Sequence, residues 1–204
     1  MLVDVEKEAQ AMVDRGVEAG DRVAVSAGRP YPVLVLELAC AKLGATLVFL
    51  ESFMAPNSEE WADAIEGSSA HWAVTWLDET CGGWTRTDEP RDPLTAWPRY
   101  ILLQARTSGT TGRAKGVLLS HRNLLTFLAS AVFSGFRMMI MEGEAGHTEN
   151  DDSRPNCGLF SAPLFHLSGL FTGVITGLAV GMKSVWTLGQ FEAEKVLQLI
   201  ETEK

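Results

Sequence analysis

Acidic residues are missing from one long segment of this chain: between Pro93 and Met141 there is no Asp or Glu. Arg99, Arg106, Arg113, Lys115, Arg122 and Arg137 lie within it and give it +6, so the other residues carry −15 within a net charge of −9. An acid-free basic stretch in an acidic protein is either a local setting for an anion or a buried strand followed by an apolar helix; charge alone leaves both open. The overall acidity excludes non-specific nucleic-acid binding as a starting point. Cysteine is scarce: Cys40, Cys81 and Cys157 are odd in number and form no CxxC or CxxH pairing. That argues against a disulfide framework or a zinc site and fits a reducing, cytoplasmic setting. The amino end, MLVDVEKEAQ, lacks the pattern of a signal peptide. One transmembrane candidate needs weighing. Gly158 to Met182 has no Asp, Glu, Lys or Arg and is long enough to span, with Gly169, Gly173, Gly177 and Gly181 at every fourth position. Pro163, His166 and Ser168 interrupt its first half, however, and the stretch after Ser168 is too short. No transmembrane segment is expected; the glycines are read as a helix face that a neighbouring strand or helix approaches closely.

What is present is the composition of a soluble globular protein, 204 residues with 46% hydrophobic and 21% charged. Val3–Arg15 reads as a helix closed by Gly16, Arg22–Ala27 as a strand, Tyr31–Leu43 as an apolar helix stopped by Gly44, and Ala45–Leu50 as a strand covered on both faces. Asn57 with Glu60 resembles a capping box for a short helix ending at Gly67. His71–Trp76 is the next strand, and 77–98 reads as a long irregular connection. Tyr100–Gln104 and the residues around Val117 are strands, and Ser120 can cap a long helix running towards Met141. Glu142–Asn156 is a polar, acidic loop with no partners at metal-ligand spacing for Asp151 and Asp152. A strand at Gly158–Ser161, the glycine-spaced helix, a strand near Ser184–Leu188 and a helix from Glu192 complete the chain. This alternation predicts an α/β fold: mostly parallel sheets flanked by helices, with ligands at the carboxyl ends of strands.

The chemistry concentrates in TSGTTGRAKG, Thr107 to Gly116. Gly109, Gly112 and Gly116 permit backbone conformations closed to other residues, so successive N–H groups can face one anion. Thr107, Ser108, Thr110 and Thr111 add hydroxyl donors, and Lys115 adds a mobile positive charge. Laid on the Walker pattern from Gly109, Ala114 stands where a glycine is required and Gly116 replaces the magnesium-binding hydroxyl. No GxGxxG follows a strand, so the dinucleotide reading fails as well. A Ser/Thr/Gly-rich surface turn is the plain alternative.

Thr107 to Leu125, TSGTTGRAKGVLLSHRNLL, resembles the signature of the adenylate-forming superfamily: acyl-CoA synthetases, peptide-synthetase adenylation domains and luciferases. Gly16 to Leu50 and Pro163 to Leu170 resemble the segments before and after it, so the likeness spans nearly the whole chain. PLFH followed by Gly169 is similar to acyl- and aryl-CoA synthetases more than to amino-acid-activating domains. The resemblance implies that residues 1–204 are part of the large N-terminal AMP-binding domain. It implies ATP, Mg2+ and coenzyme A as cofactors, and a small carboxylic acid, fatty or aromatic, as substrate. A carboxylate would attack the α-phosphorus of ATP and release pyrophosphate; the thiol of coenzyme A would then displace AMP. Thr107, Ser108, Gly109, Thr110, Thr111, Gly112 and Lys115 would hold the β- and γ-phosphates, Gly112 and Gly116 would shape the loop, and His166 would wall the acyl and nucleotide pocket. A core histidine bonded to a backbone carbonyl is the alternative for His166. Arg106 departs from the family's usual aromatic, Ala114 from its common proline, and Glu51-Ser52 from its acid- or Asn-Pro pair. The later aromatic-Gly-x-Thr-Glu motif, the ribose-binding aspartate, the hinge and the catalytic lysine of the small C-terminal domain do not occur in these residues, so no catalytic residue is assigned and this chain alone is expected to turn over poorly. A non-catalytic remnant that keeps nucleotide binding, and a fragment of an amino-acid adenylation domain, stay open.

Overall fold

The computed structural model describes residues 1–26, 30–50, 58–75, 83–91, 101–107, 115–144, 157–187 and 191–203, which fall into two compact units, Met1–His121 and Arg122–Lys204. In the first unit α1 (Leu2–Arg15), β1 (Arg22–Ser26), α2 (Pro30–Leu43), β2 (Thr46–Phe49), α3 (Glu59–Ser68), β3 (Trp72–Thr75), β4 (Trp84–Arg86), β5 (Ile101–Thr107) and β6 (Lys115–Ser120) follow in chain order. They build a sheet of order β4-β3-β1-β2-β5-β6. The four inner strands β3, β1, β2 and β5 are parallel, and β4 and β6 are antiparallel additions at the two edges. The fold is thus the mostly parallel, helix-flanked α/β arrangement expected.

Local chemistry explains the elements. Every residue of β1 and β2 is buried, which is why Arg22–Ser26 and Thr46–Phe49 read as continuous runs without alternation. Two helices stop on glycines in the left-handed region, Gly16 (φ 88°) after α1 and Gly44 (φ 74°) after α2, a conformation other residues reach only under strain. After each, the next amide reaches back into the helix: Val17 N–H to Met12 O at 3.0 Å and Ala45 N–H to Cys40 O at 2.9 Å. After Gly44 the chain turns directly into β2, and after Gly16 it reaches β1 through residues 17–21. Ala24, Val48, Leu50, Ala64 and Ala70 form a core cluster, with Trp61 and Ile65 of α3 packed against it.

Three expectations are corrected. The cap of α3 is Ser58, whose Oγ accepts from Trp61 N–H at 3.1 Å; Asn57 lies outside the described residues. The helix continues past Gly67 and ends on Ser69, which adopts φ 49° itself. The stretch 77–98, expected to be irregular, contains the edge strand β4, in register Trp72↔Arg86 and Val74↔Trp84 with β3. Its rings explain the pairing: Trp72 and Trp84 meet edge to face at 6.2 Å, and the guanidinium of Arg86 stands 5.8 Å from the Trp72 ring centre.

The second unit holds α4 (His121–Glu144), β7 (Cys157–Phe160), a π-helix (Ser168–Ile175), α5 (Thr176–Ala179), β8 (Lys183–Trp186) and α6 (Ala193–Thr202), with β7 and β8 parallel. The glycine-spaced segment is a π-helix followed by one α-turn, 168–179, too short to span a bilayer. Its glycines do face close neighbours. A Cβ at Gly169 would lie 2.4 Å from Pro163 O, at Gly173 2.9 Å from the Trp186 ring, and at Gly177 2.9 Å from Ser184 Oγ. Among the described residues one helix, His121–Met141 within α4, is long and apolar enough to cross a membrane, and none of that window is buried.

Candidate functional site

The signature segment begins and ends in one hairpin. β5 runs parallel to β2, so its carboxyl end at Thr107 lies at the edge where this class of sheet gathers its ligand-binding connections. β6 returns antiparallel, and the two strands pair Ala105↔Val117, Arg106↔Gly116 and Thr107↔Lys115. Thr107 and Lys115 are therefore partners in one rung, and the side chain of Lys115 is exposed. Ser108, Gly109, Thr110, Thr111 and Gly112 lie outside the described residues. A flexible cation fixed at its backbone beside the end of β5 can reach an anion held at that strand end.

Gly116 has a different reason for being glycine than the sequence suggested. It does not occupy the left-handed region. Instead, a Cβ there would fall 1.5 Å from Gln104 Nε2 and 2.5 Å from Gln104 Cδ, so the amide of Gln104 occupies the space that a side chain at 116 would need. Gln104 pairs with Leu118, which places it on the same sheet face as position 116. It is buried, at 7% exposure, and its Oε1 has no hydrogen-bond partner among the described residues.

His166 belongs to the second unit and is exposed. Its N–H donates to Pro163 O at 3.1 Å, its carbonyl accepts from Leu170 N–H at 3.1 Å, and its ring lies 4.8 Å from that of Phe165. It is not a core histidine; it stands on the turn that leads into the π-helix. Among the described residues no three His, Cys, Asp or Glu side chains gather into a metal-binding group.

The most connected polar cluster lies at the opposite, amino ends of β1 and β3, and sequence reasoning missed it. Asp21, 2% exposed, accepts from Arg91 Nε (2.8 Å) and Nη2 (2.6 Å), from the Trp72 indole (3.0 Å) and from the Glu18 amide (2.9 Å). Burial alone would raise its pKa, but the Arg91 fork and the other donors outweigh burial and hold it below the usual value. His71 stands between opposite charges, Nδ1 3.1 Å from Asp21 Oδ1 and from the Arg22 amide nitrogen, Nε2 3.2 Å from Arg22 Nη2. The Arg22 amide donates to Nδ1 while its guanidinium faces Nε2, so donors approach both ring nitrogens and Asp21 Oδ1 is the acceptor beside Nδ1. Burial and the Arg22 charge both lower the pKa of His71, in keeping with a neutral ring. Asp21 and Arg22 were legible only as a turn and a strand start; apart from the Glu18 amide, the partners named here, His71, Trp72 and Arg91, come from 49 to 70 residues away.

Thr107 and Lys115, near the two ends of the Ser/Thr/Gly/Lys segment, thus pair at the carboxyl end of β5 in an α/β sheet. The profile of the AMP-binding enzyme family matches residues 75–204, and the chain belongs to that family. Among curated relatives, it is 39% identical over 98 residues to 4-coumarate–CoA ligase-like 9 of Arabidopsis thaliana, covering 48% of this chain and 15% of that protein. It is 28% identical over 219 residues to the 2-succinylbenzoate–CoA ligase of Bacillus licheniformis, covering 98% of this chain and 41% of the relative. The chain thus spans well under half the length of the relatives it matches. Among solved structures, the o-succinylbenzoate coenzyme A synthetase of Bacillus subtilis in complex with AMP superposes with a TM-score of 0.69 at 20% identity, over 98% of this chain and 51% of that one. ATP-bound MatB from Rhodopseudomonas palustris gives 0.67 at 21%, over 97% and 41%. These likenesses establish the fold.

Proposed function

We propose that this chain supplies the ATP-phosphate-binding part of an acid–thiol ligase. In that reading a fatty or aromatic carboxylic acid is activated by ATP to an acyl-adenylate and then transferred to the thiol of coenzyme A. The observation that carries it is the Thr107↔Lys115 rung, which joins the two ends of the signature at the carboxyl edge of the sheet. Thr107, Ser108, Gly109, Thr110, Thr111, Gly112 and Lys115 bind the β- and γ-phosphates. Lys115 neutralises charge as pyrophosphate departs, a contribution of positioning and electrostatics. His166 lines the acyl and nucleotide pocket. Magnesium bound to the nucleotide would supply charge neutralisation at its phosphates, with no ligand assigned to it from this chain. The named relatives are a 2-succinylbenzoate–CoA ligase and a 4-coumarate–CoA ligase-like protein, both named for aromatic acids, which favours an aromatic substrate over a fatty one.

Residues 1–204 form, in this proposal, part of the AMP-binding domain working in a reducing, cytoplasmic compartment. Residues 1–204 by themselves are expected to turn over poorly or not at all, and carboxylate-dependent ATP–pyrophosphate exchange by them at an enzyme-like rate would refute this. The test is calorimetric titration of wild type and Lys115→Ala with Mg-ATP. The expected result is saturable binding that weakens at least about tenfold in the variant, the scale of one charge-assisted contact to phosphate. Equal affinities would remove Lys115 from the site.

A further inference from the structure

A buried glutamine amide is an expensive way to fill space. An acceptor left unpaired inside a protein is destabilising, and such groups are rare enough to call for a reason. Gln104 is in that position: 7% exposed, Oε1 unpartnered among the described residues, and the rest of its amide seated where a Cβ of residue 116 would be. An apolar residue would suit a buried strand better, as Leu102, Leu103 and Ala105 beside it do. The one local feature that distinguishes this place in the sheet is what comes next. Gly116 directly follows Lys115, and Lys115 is paired with Thr107.

We infer that Gln104 is a positioning residue for the phosphate-binding segment: its amide, lodged in the notch of Gly116, sets the backbone that carries Lys115, and its Oε1 takes up a donor when nucleotide is bound. The inference rests on the proposed function and deepens it. It gives Gly116 a task distinct from that of the other signature glycines. Gly116 is the socket for Gln104, so any side chain at 116 ejects the amide. Because the displaced atoms are the far end of a side chain, ejection leaves the hairpin itself standing. Gln104→Met keeps the bulk and removes the acceptor; Gly116→Ala keeps the acceptor and removes its seat. Both changes abolish the same arrangement, so their effects on nucleotide affinity coincide instead of adding.

The experiment is a double-mutant cycle in the full chain. Mg-ATP affinity is measured by calorimetry and melting temperature by fluorimetry for wild type, Gln104→Met, Gly116→Ala and the double variant, with Lys115→Ala alongside. Each single variant is expected to weaken Mg-ATP binding about fivefold, the double no more than the weaker-binding single, with melting temperatures that do not follow the affinities. Wild-type affinity in Gln104→Met, or losses that multiply in the double variant, would overturn the inference. If Lys115→Ala loses binding while Gln104→Met does not, the proposed function stands and this inference falls. If wild type shows no saturable binding, the proposed function falls and takes the inference with it.

Discussion

Glu37 is the residue whose replacement should change the stability of this protein most simply. It sits in α2 at 1% exposure, and its Oε2 has no hydrogen-bond partner among the described residues. Burial pushes its pKa from 4.5 up to about 8. One turn further on, Cys40 is fully buried, and its thiol is pushed up by burial first and by the nearby carboxyls of Glu37 and Glu8 next. The folded chain therefore keeps a proton on Glu37 that the unfolded chain releases above pH 4.5. Stability contributed at this position is whole in acid, falls as pH rises from about 4.5, and levels off above about 8. The slope is about 1.4 kcal/mol for each pH unit, so the loss between pH 5 and pH 8 is on the order of 4 kcal/mol, a large share of an ordinary domain's stability. Glu37→Gln removes the titration while preserving shape. Urea unfolding of both proteins at pH 5, 6, 7, 8 and 9 should show the variant gaining on wild type at that slope up to about pH 8 and in parallel thereafter. Curves that run parallel from pH 5 to pH 9 would falsify the assignment of a proton to Glu37. Glu37→Leu, which also removes the unpaired oxygen, should be more stable than Glu37→Gln at every pH.

Two further outcomes are expected. Asp21→Ala leaves Arg91 and the Trp72 indole without their shared acceptor, and a drop of about 3 kcal/mol in unfolding free energy should appear in denaturant melts; a change below about 0.5 kcal/mol would show that the cluster does not hold the amino ends of β1 and β3 together. Gly173→Ala drives a methyl group against the rings of Trp186 and Phe160, so about 1–3 kcal/mol of stability should be lost in the second unit, with a change in tryptophan emission. An unchanged spectrum and melting curve would mean that those rings do not pack on the π-helix.

How legible was this in the sequence? The buried parallel strands were, because fully covered strands leave continuous apolar runs such as Thr46–Phe49, and α1 and α2 were, because Gly16 and Gly44 mark their ends. The signature was legible as chemistry because four hydroxyl residues, three glycines and a lysine stand in ten positions. Its mounting was not. The Thr107↔Lys115 rung follows from pairing register, and the seating of Gln104 on Gly116 is a diagonal contact between strands that no periodicity reports. β4 was missed because three residues are too few to show alternation; what makes it a strand is the tryptophan on β3. The π-helix was read as an ordinary helix because glycines at every fourth position fit either geometry locally. Glu37 hid inside an apolar helix, where a single acid reads as an exposed position until the sheet and α1 cover it.

The sheet's mixed edges carry a kinetic consequence. The β5–β6 rung joins Thr107 to Lys115, positions eight apart, whereas the β2–β5 pairing must bring Leu47 to Leu103 across fifty-six. Chain-closure entropy favours the hairpin by about 2 kcal/mol. β3–β4 is likewise local, with Val74 meeting Trp84. The two antiparallel edges can therefore zip before the parallel centre condenses, and the β2–β5 pairing, the longest of these closures, is the one that waits. The segment between Thr107 and Lys115 is thus tied at its base early in folding, ahead of the sheet that will support it.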